Sequence, residues 1–271
     1  MSQGFHRPTS VRQALELQAD LGPDALFLAG GTEINQKHHP HRASHLISLA
    51  GLDLGGIGVS ARGVVLGATL SFQELMEAPQ APPALVRAAA KLVNRNVRNV
   101  ATVGGQLATG KSCGDLIPCL VALDARVLLA NLSGSASVAV AEYVATKPAG
   151  LIVAIEVPTP SAGRGVGLAN FTRTANDLSV ITVGASLERT SAGVQAPILA
   201  VGGVAATAVR LSAVEQALAG APLPSRAVLT SMIAAAVQPI DDLRGGAAFK
   251  RKLAGELAAD ALVEAWQQAG E

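Results

Sequence analysis

Aromatic side chains are scarce in this chain. They fill 3% of its 271 positions, although 49% of the residues are hydrophobic. The core must therefore be built from small aliphatic residues, alanine prominent among them, in the manner of an α/β protein. Cysteine is also nearly absent. Cys113 and Cys119 are too few for a disulfide framework and too few for an iron–sulfur cluster, which needs four thiolates. Nor does charge of one sign accumulate: 21 basic residues face 20 acidic ones with no long run of either. That argues against a nucleic-acid binder, which concentrates positive charge on one face. No apolar run reaches the ~18 residues of a membrane span, so no membrane insertion is expected. The opening segment MSQGFHRPTS is polar and has no apolar signal core. The expectation is a soluble, cytoplasmic protein, long enough for roughly two or three modest domains.

What is present is a β/α alternation. Ser10 and Gln13 fit a capping box, each satisfying the other's free backbone donor, and Val11, Ala14 and Leu15 begin an apolar helical face. The run ALFL at 25–28 reads as a strand. The glycine-rich stretch Gly51 to Gly58 marks a turn or boundary. A strand is expected over 64–68, and Ser71 with Glu74 forms a second capping box opening a short helix. Helices follow over 84–93 and 116–123, and strands over 126–130 and 150–157, rich in Val, Ile and Leu. Pro158 and Pro160 mark the next boundary. Beyond it come strands at 180–187 and 198–204 and helices near 210–219, 225–237 and 247–268. The last carries Phe249, Leu253, Leu257, Leu262 and Trp266 at roughly helical spacing.

Two sites stand out. Ala29-Gly30-Gly31-Thr32-Glu33 follows the strand ALFL, and Thr102-Val103-Gly104-Gly105-Gln106 follows a strand-like VATV. Glycine removes the Cβ and permits positive φ, so both turns are expected to aim backbone N–H groups at the anionic oxygens of one extended ligand. Neither is a G-x-G-x-x-G fingerprint. Gly105 to Ser112 formally spells the Walker A pattern. A P-loop helix would propagate through Cys113 and Gly114, and a helix-interior glycine costs ~1 kcal/mol, so that reading is set aside. His38, His39, His41 and His45 cluster without an acidic or cysteine partner and fit no standard zinc spacing. They read as solvated histidines, and no metal site is expected.

The order and spacing of these motifs resemble the FAD-binding subunits of the molybdenum hydroxylases, the xanthine dehydrogenase and carbon monoxide dehydrogenase flavoproteins, nearly end to end. That family has a first loop A-G-G-T-[DE], matched by Ala29 to Glu33. It has a second, R-N-x-A-T-[IV]-G-G-N, matched from Arg98 to Gln106. An Asp nine residues further on is matched by Asp115. An R-x-x-x-D pattern is matched by Arg173 and Asp177, a [LIV]-G-G-V-A segment by Val201 to Ala205, and a late D-x-R segment by Asp242 to Arg244, with Phe249 and Lys250 beyond it. Three departures are visible, the first being the K-x-x-x-x-P region after the first loop, which here reads KHHPH. Gln106 stands where Asn is usual, and Lys111-Ser112 replaces a segment that often carries Pro.

The resemblance implies a mixed α/β and α+β fold: a two-lobed FAD-binding domain of the vanillyl-alcohol-oxidase type, then a C-terminal α+β domain with a three-stranded sheet and a helical bundle. The lobes would span 1–55 and 56–160 and the last domain 161–271. It implies FAD as cofactor, with Ala29, Gly30, Gly31, Thr32, Glu33, Thr102, Gly104, Gly105 and Gln106 around the pyrophosphate and ribityl chain. Asp115 would face the adenosine side, and Arg173 and Asp177 the flavin and acceptor pocket. Glu33 fits the phosphates poorly, because like charges repel, and is placed beside the flavin or as an anchor of the loop. No catalytic acid, base or nucleophile is expected of the chain itself. The implied partners are a molybdopterin-binding large subunit and a small [2Fe–2S] subunit, with NAD⁺ or another acceptor taking the electrons. A stand-alone FAD oxidoreductase, and a non-catalytic assembly subunit that has lost FAD, are the alternatives.

Overall fold

The computed structural model describes residues 4–36, 43–92, 94–174 and 177–270. Of the clustered histidines, His38, His39 and His41 lie outside these residues. The chain builds three sheets in succession, each carrying its own helices.

The first sheet is parallel. β1 (Gly4–His6), α1 (Val11–Leu21), β2 (Ala25–Leu28) and β3 (His45–Ser48) give the order β1-β3-β2. α1 starts where Ser10 predicts it, with the Gln13 N–H donating to Ser10 Oγ at 3.1 Å. The capping box is only half made. Gln13 Oε1 accepts instead from the Thr9 N–H at 2.7 Å, so Thr9 takes the bond expected of Ser10. A small core of Ala14, Ala25, Ile47 and Leu49 joins helix to sheet.

The second sheet is antiparallel, with order β4-β5-β8-β6-β7. Its strands are β4 (Ile57–Ser60), β5 (Gly63–Gly67), β6 (Arg126–Asn131), β7 (Gly134–Ala139) and β8 (Leu151–Pro158). Between them the chain forms α2 (Phe72–Glu77), α3 (Pro83–Ala89), α4 (Arg95–Arg98), α5 (Val103–Thr109), α6 (Leu116–Ala122) and α7 (Val140–Thr146). Here the capping box of Ser71 and Glu74 is complete, with both bonds made. Leu75, Leu107, Leu120 and Ile155 are fully buried in the shared core with a single aromatic ring among the largest buried side chains, Phe72, so mostly aliphatic side chains fill it as the composition predicts.

The third sheet has order β12-β11-β10-β9, again antiparallel. β9 (Arg164–Phe171), β10 (Ile181–Thr190) and β11 (Gly193–Gly202) are long, and β12 (Val209–Arg210) adds only a short edge to the expected three strands. α8 (Ser212–Leu218), α9 (Arg226–Ala236) and α10 (Ala247–Gln268) complete this part. The expected face of α10 holds at Leu262, which is buried, and at Leu253, Leu257 and Trp266, which pack half-buried against the core, but the fully buried face is wider and made mostly of small residues. It consists of Lys250, Ala254, Gly255, Ala258, Ala259, Ala261, Leu262 and Ala265, while Phe249 is 48% exposed. The reason is close approach. A Cβ at Gly165 or Gly167 of β9 would overlap the carbonyl oxygens of Ala265 and Ala261, so helix and strand touch backbone to backbone and only small residues fit between them. Among the described residues, no helix is long and apolar enough to cross a membrane.

Candidate functional site

The first glycine turn follows β2 as expected. Gly31 has φ +70°, a conformation that favours glycine. Among the described residues, the backbone N–H groups of Gly30, Gly31, Thr32, Glu33 and Ile34 find no protein acceptor, while the turn is held by a bond from the Asn35 N–H to the Gly31 oxygen. Backbone donors in folded proteins are almost always paired, so a run of unspent N–H groups marks a place for an anionic or water ligand.

The second turn is not the strand-then-glycine turn the sequence suggests. Thr102 is the N-cap of α5, and Gly104 and Gly105 lie inside that helix. Its donors are all spent. Val103 N–H goes to Leu70 O at 3.0 Å, Gly104 N–H to Ala68 O at 2.9 Å and Gln106 N–H to Thr102 O at 3.0 Å. Gly105 N–H goes to Thr102 Oγ1 at 3.1 Å. Gly104 is required by packing, since a Cβ there would sit 2.7 Å from Ala68 O and 2.8 Å from Ala68 Cβ. The apparent Walker A stretch is thus a helix ending at Gly110, the reverse of a P-loop, whose helix starts at the lysine.

The two turns face one cavity of about 520 Å³, within the ~300–1,000 Å³ of small-molecule sites. Ala29 to Glu33 line it, as do Thr102, Gly104, Gly105, Gln106 and Asp115. Phe27, Phe72, Leu92, Tyr143 and Ile152 supply an apolar wall that motif reading missed. The turns also touch. A Cβ on Gly30 would overlap the Val100 carbonyl, and Lys111 Nζ lies 2.6 Å from Glu33 Oε1. Glu33 is thus ion-paired to the segment after the second turn.

The segment from Lys111 to Asp115 ties the three parts together. Lys111 reaches the first loop. Ser112 Oγ accepts from the Gly203 N–H at 2.8 Å, within the glycine segment beyond β11. Asp115, only 8% exposed, accepts from Ser179 Oγ at 2.7 Å. Burial pushes the Asp115 carboxyl above its ordinary range, and the Ser179 bond and nearby Lys91 oppose that shift. Gln106 Oε1 accepts from the Leu116 N–H at 2.9 Å, so this departure from the usual Asn supports the start of α6. Burial likewise pushes up the Cys113 thiol on the cavity wall, and the Cys119 thiol rises to about 12. Neither is a ready nucleophile at neutral pH.

Arg173 and Asp177 do not line the cavity. They pair with each other, Arg173 Nε to Asp177 Oδ2 at 2.9 Å, and Arg173 also donates to Leu243 O at 3.1 Å. Their neighbour Leu178 does line it, which places the pair at its rim. Lys250 is a buried structural cation, bonded to Asp242 at 2.6 Å and to Ile240 O at 3.1 Å. His45 meets His6 across β1 and β3, ring nitrogens 3.2 Å apart. No group of three or more His, Cys, Asp or Glu able to hold a metal occurs among the described residues.

Fold and site define a mixed α/β protein with a cavity walled by a glycine loop, its donors free among the described residues, on one side and a capped helix start on the other. Residues 1–160 match the family described as FAD binding domain in molybdopterin dehydrogenase, and residues 168–265 match the CO dehydrogenase flavoprotein C-terminal domain. The chain belongs to this family of FAD-binding subunits of molybdenum hydroxylases. It is 30% identical to the carbon monoxide dehydrogenase medium chain of Hydrogenophaga pseudoflava, over 97% of this chain and 96% of that one. It is 28% identical to the xanthine dehydrogenase FAD-binding subunit of Escherichia coli O157:H7, over 98% of this chain and 97% of that one. The fold matches a solved structure of the Hydrogenophaga pseudoflava carbon monoxide dehydrogenase, a form lacking the Mo-pyranopterin moiety. The TM-score is 0.94 at 29% identity, covering 100% of this chain and 99% of that one.

Proposed function

We propose that this chain holds FAD in the cavity between its two glycine turns and serves as the electron-transfer subunit of a molybdopterin-dependent dehydrogenase. The observation that carries this is the run of N–H groups from Gly30 to Ile34, without an acceptor among the described residues, opposite an apolar wall. A diphosphate joined to a flat aromatic ring system is the ligand such a wall suits. What FAD supplies, when bound, is electron relay between [2Fe–2S] clusters on a partner and an acceptor such as NAD⁺.

The chain's own residues bind and orient. Ala29 to Glu33 hold the diphosphate through the backbone and the Thr32 hydroxyl. Thr102, Gly104, Gly105 and Gln106 present a smooth wall, since the glycines have no side chain to intrude. Asp115 accepts from a hydroxyl of the adenosine side. Arg173 and Asp177 shape the rim by fixing the 242–245 turn beside Leu178. The chain divides into lobes 1–55 and 56–160 and a C-terminal domain 161–271. It works in the cytoplasm beside a molybdopterin-binding large subunit and a [2Fe–2S] small subunit.

The test is purification of the chain with FAD supplied. The expected result is a yellow protein with the absorption bands of bound flavin. A chain that stays colourless and leaves flavin fluorescence unquenched overturns the reading, and leaves the assembly subunit without FAD in its place. Recovery of the native protein together with molybdenum and iron–sulfur subunits separates the proposal from a stand-alone FAD oxidoreductase.

A further inference from the structure

The first loop poses an electrostatic difficulty. Among the described residues its five N–H groups from Gly30 to Ile34 have no protein acceptor and can meet an anion, yet it carries the carboxylate of Glu33 on the same cavity wall. A second negative group brought to that wall is repelled, and the repulsion is strong where protein displaces water. The structure also contains the remedy. Lys111 Nζ lies 2.6 Å from Glu33 Oε1 and 2.7 Å from Oε2. Both side chains line the cavity, and both are partly shielded, at 24% exposure for Glu33 and 40% for Lys111. Gln36 Nε2 donates to Glu33 Oε2 at 3.1 Å and holds the carboxylate in place. Lys111 makes no other ion pair among the described residues.

We propose that Lys111 is the counter-charge that makes the first loop competent for a diphosphate: it neutralises Glu33 and leaves the loop N–H groups facing an anion without a competing carboxylate. Lys111 is a positioning residue, distinct from the backbone donors that touch the ligand. The inference rests on the FAD reading above and adds to it a residue from the Lys111-Ser112 segment, where the family resemblance breaks. A merely mechanical strap between the loops makes a different prediction, because a strap fails equally when either end is cut.

The experiment is a double-mutant cycle on the full chain. FAD affinity is read by quenching of flavin fluorescence, and the melting temperature without FAD controls for folding. Lys111→Gln leaves an unpaired carboxylate at the wall and weakens FAD binding by roughly tenfold or more. Glu33→Gln binds FAD at least as tightly as the wild type, because the Lys111 charge then faces the diphosphate unopposed. The double variant Glu33→Gln/Lys111→Gln recovers to within about threefold of wild type, and Lys111→Arg binds like wild type. Equal losses in both single variants with no recovery in the double overturn the proposal in favour of a strap. A Lys111→Gln chain that binds FAD as tightly as wild type also overturns it. A wild-type chain that takes up no FAD overturns the cofactor reading itself, and this inference with it.

Discussion

Ala29-Gly30-Gly31-Thr32 and Thr102-Val103-Gly104-Gly105 use the same residue types, yet their backbones do opposite things. In the first, threonine follows the glycines, and the N–H groups from Gly30 to Ile34 stay unpaired among the described residues. In the second, threonine precedes them, its hydroxyl caps α5, and the N–H groups from Val103 to Gln106 are all taken. The difference lies in the order of the letters. A Thr three residues ahead of an amide can accept from it and start a helix. A Thr after the glycines cannot. The first turn thus keeps the donors that the proposed diphosphate would need, and the second is a structural one that walls the same cavity.

The largest expected effect tests the second half of that contrast. Gly104→Val drives side-chain atoms into Ala68, whose oxygen and Cβ would lie 2.7 and 2.8 Å from a Cβ there. Overpacking against backbone costs about 3 kcal/mol or more, a fall in melting temperature of roughly 6–12 °C for a chain of this size. Gly31→Ala, by comparison, pays about 1–2 kcal/mol for its positive φ and shows its main effect in FAD affinity. A Gly104→Val protein of normal stability that has lost only flavin binding would break the distinction.

The two threonines give the next effect. Thr102→Val removes the cap of α5 and costs about 1 kcal/mol, or roughly 2–4 °C, measurable without any cofactor. The Thr32 hydroxyl makes no hydrogen bond within the protein among the described residues; only its backbone oxygen does, accepting from Gln36 Nε2 at 3.2 Å. Thr32→Val therefore leaves the melting temperature unchanged and weakens FAD by roughly three- to tenfold, the worth of one hydrogen bond. Paired melting and titration curves for both variants sharpen the contrast directly.

Much of this was legible beforehand, and the misses have physical causes. The capped helices at Ser10 and Ser71 and the strand at 25–28 rest on local signals and stand in the structure. α5 was misread because Val100, Thr102 and Val103 are β-branched, and that preference masked the N-cap spacing from Thr102 to Gly105. α4 was missed although Asn94 accepts from the Val97 N–H. β9 escaped because Arg164–Phe171 is glycine-rich, a composition that weakens a strand signal; its glycines serve the contact with α10 instead. The long-range pairs, Glu33 with Lys111 and Asp115 with Ser179, leave no local trace, because nothing in either segment names a partner so far along the chain. Asp115 itself was found only through the motif it belongs to.

Asp115, at the start of α6, supplies a smaller effect. Burial raises its carboxyl above the ordinary 3.8. A raised acid favours the folded state fully below its unfolded value, and that contribution is lost as pH rises through the folded value. Asp115→Asn removes the cost of burying the charge and still offers an oxygen to Ser179. The variant should match the wild type in melting temperature near about pH 4 and exceed it increasingly toward about pH 7. A constant offset across the range would place the effect in a weaker bond to Ser179 and not in the charge.

The smallest effect belongs to the rim. Arg173 and Asp177 form an i,i+4 pair whose side chains are 50% and 28% exposed. The Arg173 hydrogen bond holds the Asp177 carboxyl below its ordinary range, so whatever stability the pair gives is present above about pH 4 and fades as the acid titrates below it. Exposed pairs of this kind contribute little. Asp177→Asn should therefore leave the melting temperature unchanged at neutral pH. FAD affinity should shift by less than about threefold, because Asp177 does not line the cavity and adjoins it through its neighbour Leu178. A loss as large as that of Thr32→Val would move Asp177 from the rim into the site, and would show that the first loop does not carry cofactor binding alone.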